Sequence, residues 1–395
     1  MNILFQCSEY PPFRNGGIGT VTKIVAEELV RRGHNVYVCG YYSEMPIKEK
    51  IETVNGVTIY SFNKGIRRGS LKQKLFLLLN KIGLAGFFIQ KELSWYEDKI
   101  ASLIRNKHIE VLEMPDFYNF NLFKAKLSYR RFDVPTVMRV HGSASFIQHY
   151  SGKDKSWVID NDRRHFKRMD SICSVSKFAE SYIKETFPEL DFKKERVIYN
   201  PIEINFLKHN APSDNKTILF IGKLIKSKGA LTLAEAFNKI ATEFTEWQLR
   251  YVGKGQIEPI KKLLSPENKG RVEFLGFCNR TKVADEIDGC AFACIPTYFE
   301  NFSMVPLEIM GRTRAVIFTR WTSGNEIIEN GVDGFTVDPD DVGEIYKKIK
   351  TLIEDKIIRD RFAERSYQKI KNHFTTDAVV SGLIEFYNQV KRIAV

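Results

Sequence analysis

The sequence has six cysteines, at 7, 39, 173, 278, 290 and 294, but no CxxC pair. This removes the usual zinc-ligand spacing and argues against a disulfide framework. Most of these cysteines lie within apolar runs such as SICSV and AFACIP, so reduced core thiols in a cytoplasmic protein are expected. No apolar stretch reaches the ~20 residues that a spanning helix needs. The longest, LFLLLNKIGLAGFFI from Leu75 to Ile89, is broken by Asn80 and Lys81. No basic region precedes the opening NILFQC run, so no secretory signal is expected. Neither G-x-G-x-x-G nor G-x4-G-K-[ST] occurs, which leaves no motif for NAD or for a P-loop. No zinc-finger or RNP-like signature is present, so the formal charge of +12 is not assigned to nucleic acid. That charge admits anionic small molecules, an anionic membrane surface or a merely basic exterior.

At 395 residues, two domains are the default expectation. Short apolar runs alternate with helical patterns. NILFQCS (2–8) reads as a buried strand and YPPFRNGGIG as a loop. A helix follows, with Val21, Ile24, Val25 and Leu29 on one face and Gly33 at its end. NVYVCG (35–40) is the next strand, completing the opening unit of a doubly wound α/β domain. EVLEMP, TVMRVHG, SICSVS and RVIYN continue the series to residue 200. Residues 206–216, FLKHNAPSDNK, read as a linker. TILFIGKL (217–224) then restarts the pattern, followed by WQLRYVG, VEFLGF, FACIPTY and AVIFTR. The expected domains are 1–204 and 205–375. An amphipathic helix at about 376–395 is expected to return to the first domain.

Two stretches carry candidate chemistry. Glu300 and Glu308 flank ENFSMVPLE, with a helix expected to begin near Phe302 at the carboxyl end of a strand. Eight positions at ~1.5 Å rise would set the carboxylates about 12 Å apart along one element. They could accept hydrogen bonds from two hydroxyl-rich ends of one ligand. Taken alone, E-x7-E is more often two unrelated helix carboxylates. In GKLIKSKG (222–229), Gly222 ends a strand and Gly229 precedes a helix. Lys223 and Lys228 bracket the loop, a composition suited to a diphosphate. Lysines in a loop are also commonly just solvated.

The order of motifs along the chain resembles the retaining glycosyltransferases of the GT-B fold, in glycosyltransferase family 4. The pieces are GGIG (16–19), RVHG (139–142), SVSKF (174–178), NPIE (200–203), GKLIKSKG, VGKGQ (252–256), VEFLGF (272–277), PTYFENFSMVPLE (296–308) and NGVDGF (330–335). The resemblance implies two Rossmann-like doubly wound parallel-sheet domains facing across a cleft, the first binding acceptor and the second binding a nucleotide-sugar donor. It implies a hexosyltransferase-like, retaining, metal-independent enzyme of bacterial-type surface polysaccharide synthesis.

Residue by residue, the resemblance puts Glu300 beside the donor sugar and Glu308 on the ribose hydroxyls. It puts Lys223 and Lys228 on the diphosphate. The first of these is usually arginine, and lysine loses the bidentate fork. Gly16, Gly17 and Gly19 match a loop that approaches the phosphates, with Gly222 opening the matching loop of the second domain. Asn301, Phe302 and Ser303 match backbone near sugar and phosphate. Glu326 matches a glutamate near the nucleotide. His141 matches a histidine that hydrogen-bonds the transferred sugar. MGRTRAVI (310–317) departs from the family, because Arg314, Ala315 and Val316 stand where a Gly-x-Pro turn is common. Base or sugar selectivity is the property this departure puts in question.

No cofactor and no metal are expected. Asp160-Asn161-Asp162 spells D-x-D, a metal motif of another glycosyltransferase fold, but leads into a charged helix. The expected partners are a nucleotide-sugar donor and a glycan or polyprenyl-linked glycan acceptor. From Lys64 to Lys91 there are seven Lys or Arg and no acidic residue, interleaved with apolar runs. Such a segment can lie on an anionic bilayer at the inner face of the cell membrane, or pack as a hairpin on its own domain. Nucleotide-sugar epimerases or hydrolases of the same architecture, and a non-catalytic nucleotide-sugar-binding scaffold, are the competing readings.

Overall fold

The computed structural model describes residues 1–12, 16–42, 49–63 and 71–393, the side chains of 71–73, 76 and 393 excepted. The chain divides into two units, 1–201 with 379–395 and 202–378. The sequence placed these divisions after residue 204 and at about 376.

The first unit holds β1 (Asn2–Gln6), β2 (Asn35–Tyr42), β3 (Glu49–Val54), β4 (Val57–Asn63), β5 (Val111–Pro115), β6 (Thr136–Val140), β7 (Ser171–Ser174) and β8 (Lys194–Val197). Their order in the sheet is β3-β4-β2-β1-β5-β6-β7-β8. Only β3 runs antiparallel, pairing with β4 across a turn where Asn55 (φ 51°) and Gly56 (φ 81°) both take positive φ. Two such residues in succession make the tight turn that matches strand twist. β5 and β6 are buried along their whole length, as strands covered on both faces must be. Val379 onward in the helix Thr376–Ile393 belongs to this unit. Its Tyr387 hydroxyl donates to Glu113 Oε2 at 2.5 Å.

The second unit holds β9 (Thr217–Ile221), β10 (Gln248–Val252), β11 (Val272–Gly276), β12 (Phe292–Ile295), β13 (Ala315–Thr319) and β14 (Phe335–Val337). All are parallel, in the order β11-β10-β9-β12-β13-β14. Residues 206–216 are not the free linker the composition suggested. Asn210 Nδ2 donates to Arg312 O and Asp288 Oδ1, both at 2.8 Å, and holds the segment on the second unit.

Among its parallel strands each sheet reverses its order once, between β1 and β5 in the first unit and between β9 and β12 in the second. Loops leaving neighbouring strands at such a point diverge and open a crevice at the carboxyl edge. Both units are thus doubly wound α/β folds with one crevice each. All six cysteines are free thiols and five are buried. Burial pushes Cys7, Cys39 and Cys290 up to about 12, so they are not nucleophiles at neutral pH.

Candidate functional site

In the second unit the crevice is built from the loops after β9 and β12. The β9 loop runs from Gly222 to Gly229 and the β12 loop from Pro296 to Ser303. Ser227 O accepts from Tyr298 N at 3.0 Å and from Thr297 Oγ1 at 3.2 Å, which locks the loops together. Gly229 is required for this approach. Its φ is 73°, and a Cβ there would stand 2.0 Å from Pro296 O.

The lock brings Lys228 Nζ to 2.5 Å from Glu300 Oε1. Two residues 72 positions apart in sequence form one ion pair, with both side chains partly exposed. Lys223 is exposed and has no ion-pair partner among the described residues. Glu300 is fixed through its backbone: its N–H donates to Thr322 Oγ1 at 3.1 Å, and its carbonyl accepts from Ser323 Oγ at 3.2 Å. Thr322 carries positive φ (56°). Glu326 lies four residues after Thr322, in the one-turn helix Gly324–Ile327, so the same tie holds its loop against Glu300.

Asn301, Phe302 and Ser303 are all buried. Both polar atoms of the Asn301 side chain are buried without a hydrogen-bond partner. Such groups cost free energy unless something satisfies them, and here the missing partner fits a ligand. The helix expected from Phe302 begins at Met304. Phe302 and Ser303 therefore belong to the loop, and Glu300 and Glu308 do not share one element. Pro306 falls in the first turn, where a backbone N–H has no partner within the helix and proline is tolerated.

Glu308 is buried within that helix, and burial pushes its carboxyl up to about 7 against the pull of Arg280. Arg280 Nη1 donates to Glu308 Oε1 at 2.7 Å, and Nη2 lies 3.3 Å from Glu203 Oε2. The Arg280 guanidinium lies 4.2 Å from the Phe206 ring centroid. Sequence reasoning missed Arg280. Its only sequence signal was the N-cap pattern N-R-T-K before a helix, which says nothing of its target.

Arg314, Ala315 and Val316 lie elsewhere. Arg314 precedes β13 and donates to the carbonyls of Ala211, Thr313 and Asp288 at 3.0, 2.8 and 2.7 Å. That is the amino edge of a parallel sheet, opposite the crevice. The departure from the family turn sits away from the donor loops, and Arg314 closes the bottom of the sheet.

In the first unit, Gly17 and Gly19 lie within the first turn of the helix Gly17–Arg31 rather than in the expected loop, and Gly16 is its N-cap. A Cβ on Gly16 would stand 1.9 Å from Glu9 Oε2, and one on Gly19 would stand 1.8 Å from Glu9 O. Glycine is needed at 19, where the Glu9 backbone crosses over the helix start, whereas at 16 the clash is with the movable end of the Glu9 side chain. Gly17 faces open space. Below them is a pocket at the β1/β5 reversal lined by Gln6, Ser8, Glu9, Ile18, Tyr41 and Phe117 among others. Gln6 Oε1 is buried there without a partner.

His141 follows β6. Its N–H donates to Asp116 Oδ1 at 2.8 Å, and Gly142 N donates to Asp116 Oδ2 at 3.0 Å. Asp116 is a clamp for the turn that the sequence did not reveal; burial raises its carboxyl to about 7. Burial and the Arg139 charge push His141 down to about 3. The imidazole is therefore neutral at pH 7 and suited to hydrogen bonding rather than to holding a proton. Asp160 and Asp162 turn to different neighbours: Asp160 pairs with Arg163 at 2.7 Å, while Asp162 accepts from Ser145 N at 2.7 Å and from Asn121 Nδ2 at 2.6 Å. They do not present a common cation site. Among the described residues no group of three or more His, Cys, Asp or Glu gathers as metal ligands.

The comparisons with known proteins agree with this division. Residues 15–206 match the Glycosyltransferase Family 4 model, and residues 201–369 match Glycosyl transferases group 1. An uncharacterized glycosyltransferase of Methanocaldococcus jannaschii is 26% identical, with 98% of each chain covered. The N-acetylgalactosamine-N,N'-diacetylbacillosaminyl-diphospho-undecaprenol 4-alpha-N-acetylgalactosaminyltransferase of Campylobacter jejuni is 28% identical over 45% of this chain and 50% of its own. Among solved structures, sucrose-phosphate synthase of Thermosynechococcus elongatus superposes with TM-score 0.78 at 16% identity, covering 98% of both chains. Anabaena HepE in complex with UDP-glucose gives 0.68 at 16% identity, covering 98% of this chain and all of its own. Two doubly wound units of this kind, matched in order by the two halves of one family, place the chain among the GT-B glycosyltransferases of family 4.

Proposed function

We propose that the chain is a retaining transferase that moves a hexose-type sugar from a nucleotide diphosphate sugar to a glycan acceptor. The observation that carries this is the meeting of the β9 and β12 loops. There Lys228 stands 2.5 Å from Glu300, and the Asn301 side chain is buried with neither polar atom satisfied.

The reaction breaks the anomeric C–O bond to the diphosphate through an oxocarbenium-like transition state. Negative charge develops on the departing phosphate oxygen. Lys228 and Lys223 are the ammonium groups placed for that charge, and fixed charge aimed at a leaving group is a large catalytic term. Donor binding would draw Lys228 from Glu300 toward the diphosphate and leave the carboxylate for sugar hydroxyls. Glu308, held by Arg280, accepts hydrogen bonds from the ribose. Asn301 then finds its partners on the donor. The acceptor oxygen forms its bond to C1 on the face the diphosphate leaves, and a diphosphate oxygen takes the acceptor proton. The neutral His141 imidazole of the first unit is suited to a hydrogen bond with a sugar hydroxyl. The lysines supply the positive charge, so this reading needs no divalent metal; turnover undiminished by chelator is the expected result.

The acceptor is assigned to the first unit, at the β1/β5 pocket. Phe117, only partly buried at the pocket wall, offers an apolar face to a sugar ring, and Gln6 offers an unmet acceptor atom. The Campylobacter relative's name describes a diphospho-undecaprenol acceptor. A polyprenyl-linked glycan in surface polysaccharide synthesis, met at the cytoplasmic face of the membrane, is accordingly the acceptor class to try first. UDP-sugars come first among donors because the HepE neighbour is described with UDP-glucose. The test is a thermal-shift screen against UDP-, GDP-, ADP- and dTDP-sugars, followed by product analysis with a lipid-linked acceptor. A ligand that binds only the native state raises the midpoint. No shift with any nucleotide sugar would overturn the reading.

A further inference from the structure

The helix Leu71–Lys81, the turn after it and the start of the helix Gly86–Asn106 have two apolar sides. One is spent on the core of the first unit, through Ala85, Ile89 and Leu93, each at most 1% exposed. The other has no cover. Leu77, Leu78, Ile82 and Leu84 are 53–65% exposed, and Phe87 and Phe88 are 76% and 54% exposed. An amphipathic helix on a water-facing surface ordinarily puts polar residues on that outer side. Contiguous exposed apolar surface of this extent marks a contact site.

The residues around it share one sign. Lys74, Lys81 and Lys91 are exposed, and no acidic residue lies between positions 71 and 91. A second segment, distant in sequence, joins this rim. Asn80 Oδ1 accepts from Lys124 N at 3.1 Å, and the Gln90 side chain makes two hydrogen bonds to the Ser128 backbone at 2.8 and 2.9 Å. These ties bring exposed Lys124 and Lys126 beside the hairpin. Neither of them, nor Lys74, Lys81 or Lys91, makes an ion pair among the described residues, whereas nearby Arg130 and Arg131 are neutralised by Asp98 and Asp170.

We infer that this hairpin is a membrane-docking surface that sinks Phe87, Phe88 and the neighbouring leucines into the interface of an anionic bilayer, with the five unpaired lysines against the headgroups. An apolar face ringed by ammonium groups fits that occupant: the lipid boundary takes the side chains and anionic phosphates take the charge. A second copy of the same surface would set the lysines against each other. No helix of the described residues is long and apolar enough to cross a membrane, so the contact is interfacial. Lys64, Arg67 and Arg68, which the sequence also suggested for this role, lie outside the described residues, as does the side chain of Lys72.

The inference does not rest on sugar transfer, and its test uses neither donor nor acceptor. The full chain is floated with vesicles of phosphatidylcholine alone or with added phosphatidylglycerol. The expected result is flotation with the anionic vesicles, at least tenfold weaker with the neutral ones and reduced by salt. The double substitution F87S/F88S is expected to abolish flotation, and K124E/K126E to weaken it about tenfold, with unfolding midpoints unchanged because all four side chains are exposed. The inference is overturned if the wild type does not float with anionic vesicles, or if F87S/F88S floats as well as the wild type. A wild-type dimer that F87S/F88S converts to monomer, without vesicle binding, would also overturn it in favour of a second copy.

Discussion

The two strand-order reversals present different chemistry at the same place in the same kind of sheet. At β9/β12 the crevice carries Lys223, Lys228, Glu300 and Glu308, and its loops are tied by Ser227, Thr322 and Ser323. At β1/β5 it carries Gln6, Tyr41, Ile18 and Phe117, with Glu9 as the carboxylate above the helix start. A diphosphate is the same in every nucleotide sugar, and fixed charge on a braced loop is the economical way to hold it. The sugar part of an acceptor glycan is neutral and variable, and an aromatic face with an amide group suits it better. The contrast teaches that one architecture can devote one crevice to charge and the other to shape.

Substitutions should break this contrast unevenly. On the proposed reading, Lys228→Ala removes a charge aimed at the leaving group and is expected to lower kcat by about 100- to 1,000-fold, measured by product release at saturating donor. Glu308→Gln should weaken donor binding about 10- to 100-fold, as expected when a hydrogen bond to a charged group is lost. It should also flatten the pH dependence. The Glu308 carboxyl titrates near 7, so below that pH it holds a proton and accepts fewer hydrogen bonds. Wild-type donor affinity should therefore rise from pH 6 to pH 8, and the glutamine variant should show no such rise in titration calorimetry.

Asp116→Ala leaves the His141 and Gly142 N–H groups without their acceptor and should cost about 1–3 kcal/mol of stability. For a domain of this size, each kcal/mol lowers Tm by about 2–4 °C, which calorimetry would read. Gln6→Ala should have the smallest effect, about a tenfold rise in acceptor KM with donor affinity unchanged. A loss of donor affinity in that variant would erase the division between the crevices.

What could be read in the sequence was whatever was local. The buried strands announced themselves as apolar runs, and Lys228, Glu300 and Glu308 each sat in a short contiguous pattern. The V-N-G-V turn of the β3–β4 hairpin is also local, but the charged residues before it mask the strand pattern. What was hidden depended on contacts across the fold. Arg280 is 28 residues from Glu308 and meets it only after a helix, a strand and a loop have folded. The demand for glycine at 19 came from the Glu9 backbone, whose path over the helix start is a tertiary fact. Arg314 looked like a change in the donor site because motif order cannot tell one end of a strand from the other.

The central claim is that a nucleotide diphosphate sugar is held where Lys228 and Glu300 meet and where Glu308 is buried. Titration calorimetry of the best-bound nucleotide sugar with the wild type, Lys228→Ala and Glu308→Gln tests it directly. The account predicts saturable binding by the wild type and at least tenfold weaker binding by both variants with folding intact. Equal affinity in all three proteins would contradict it.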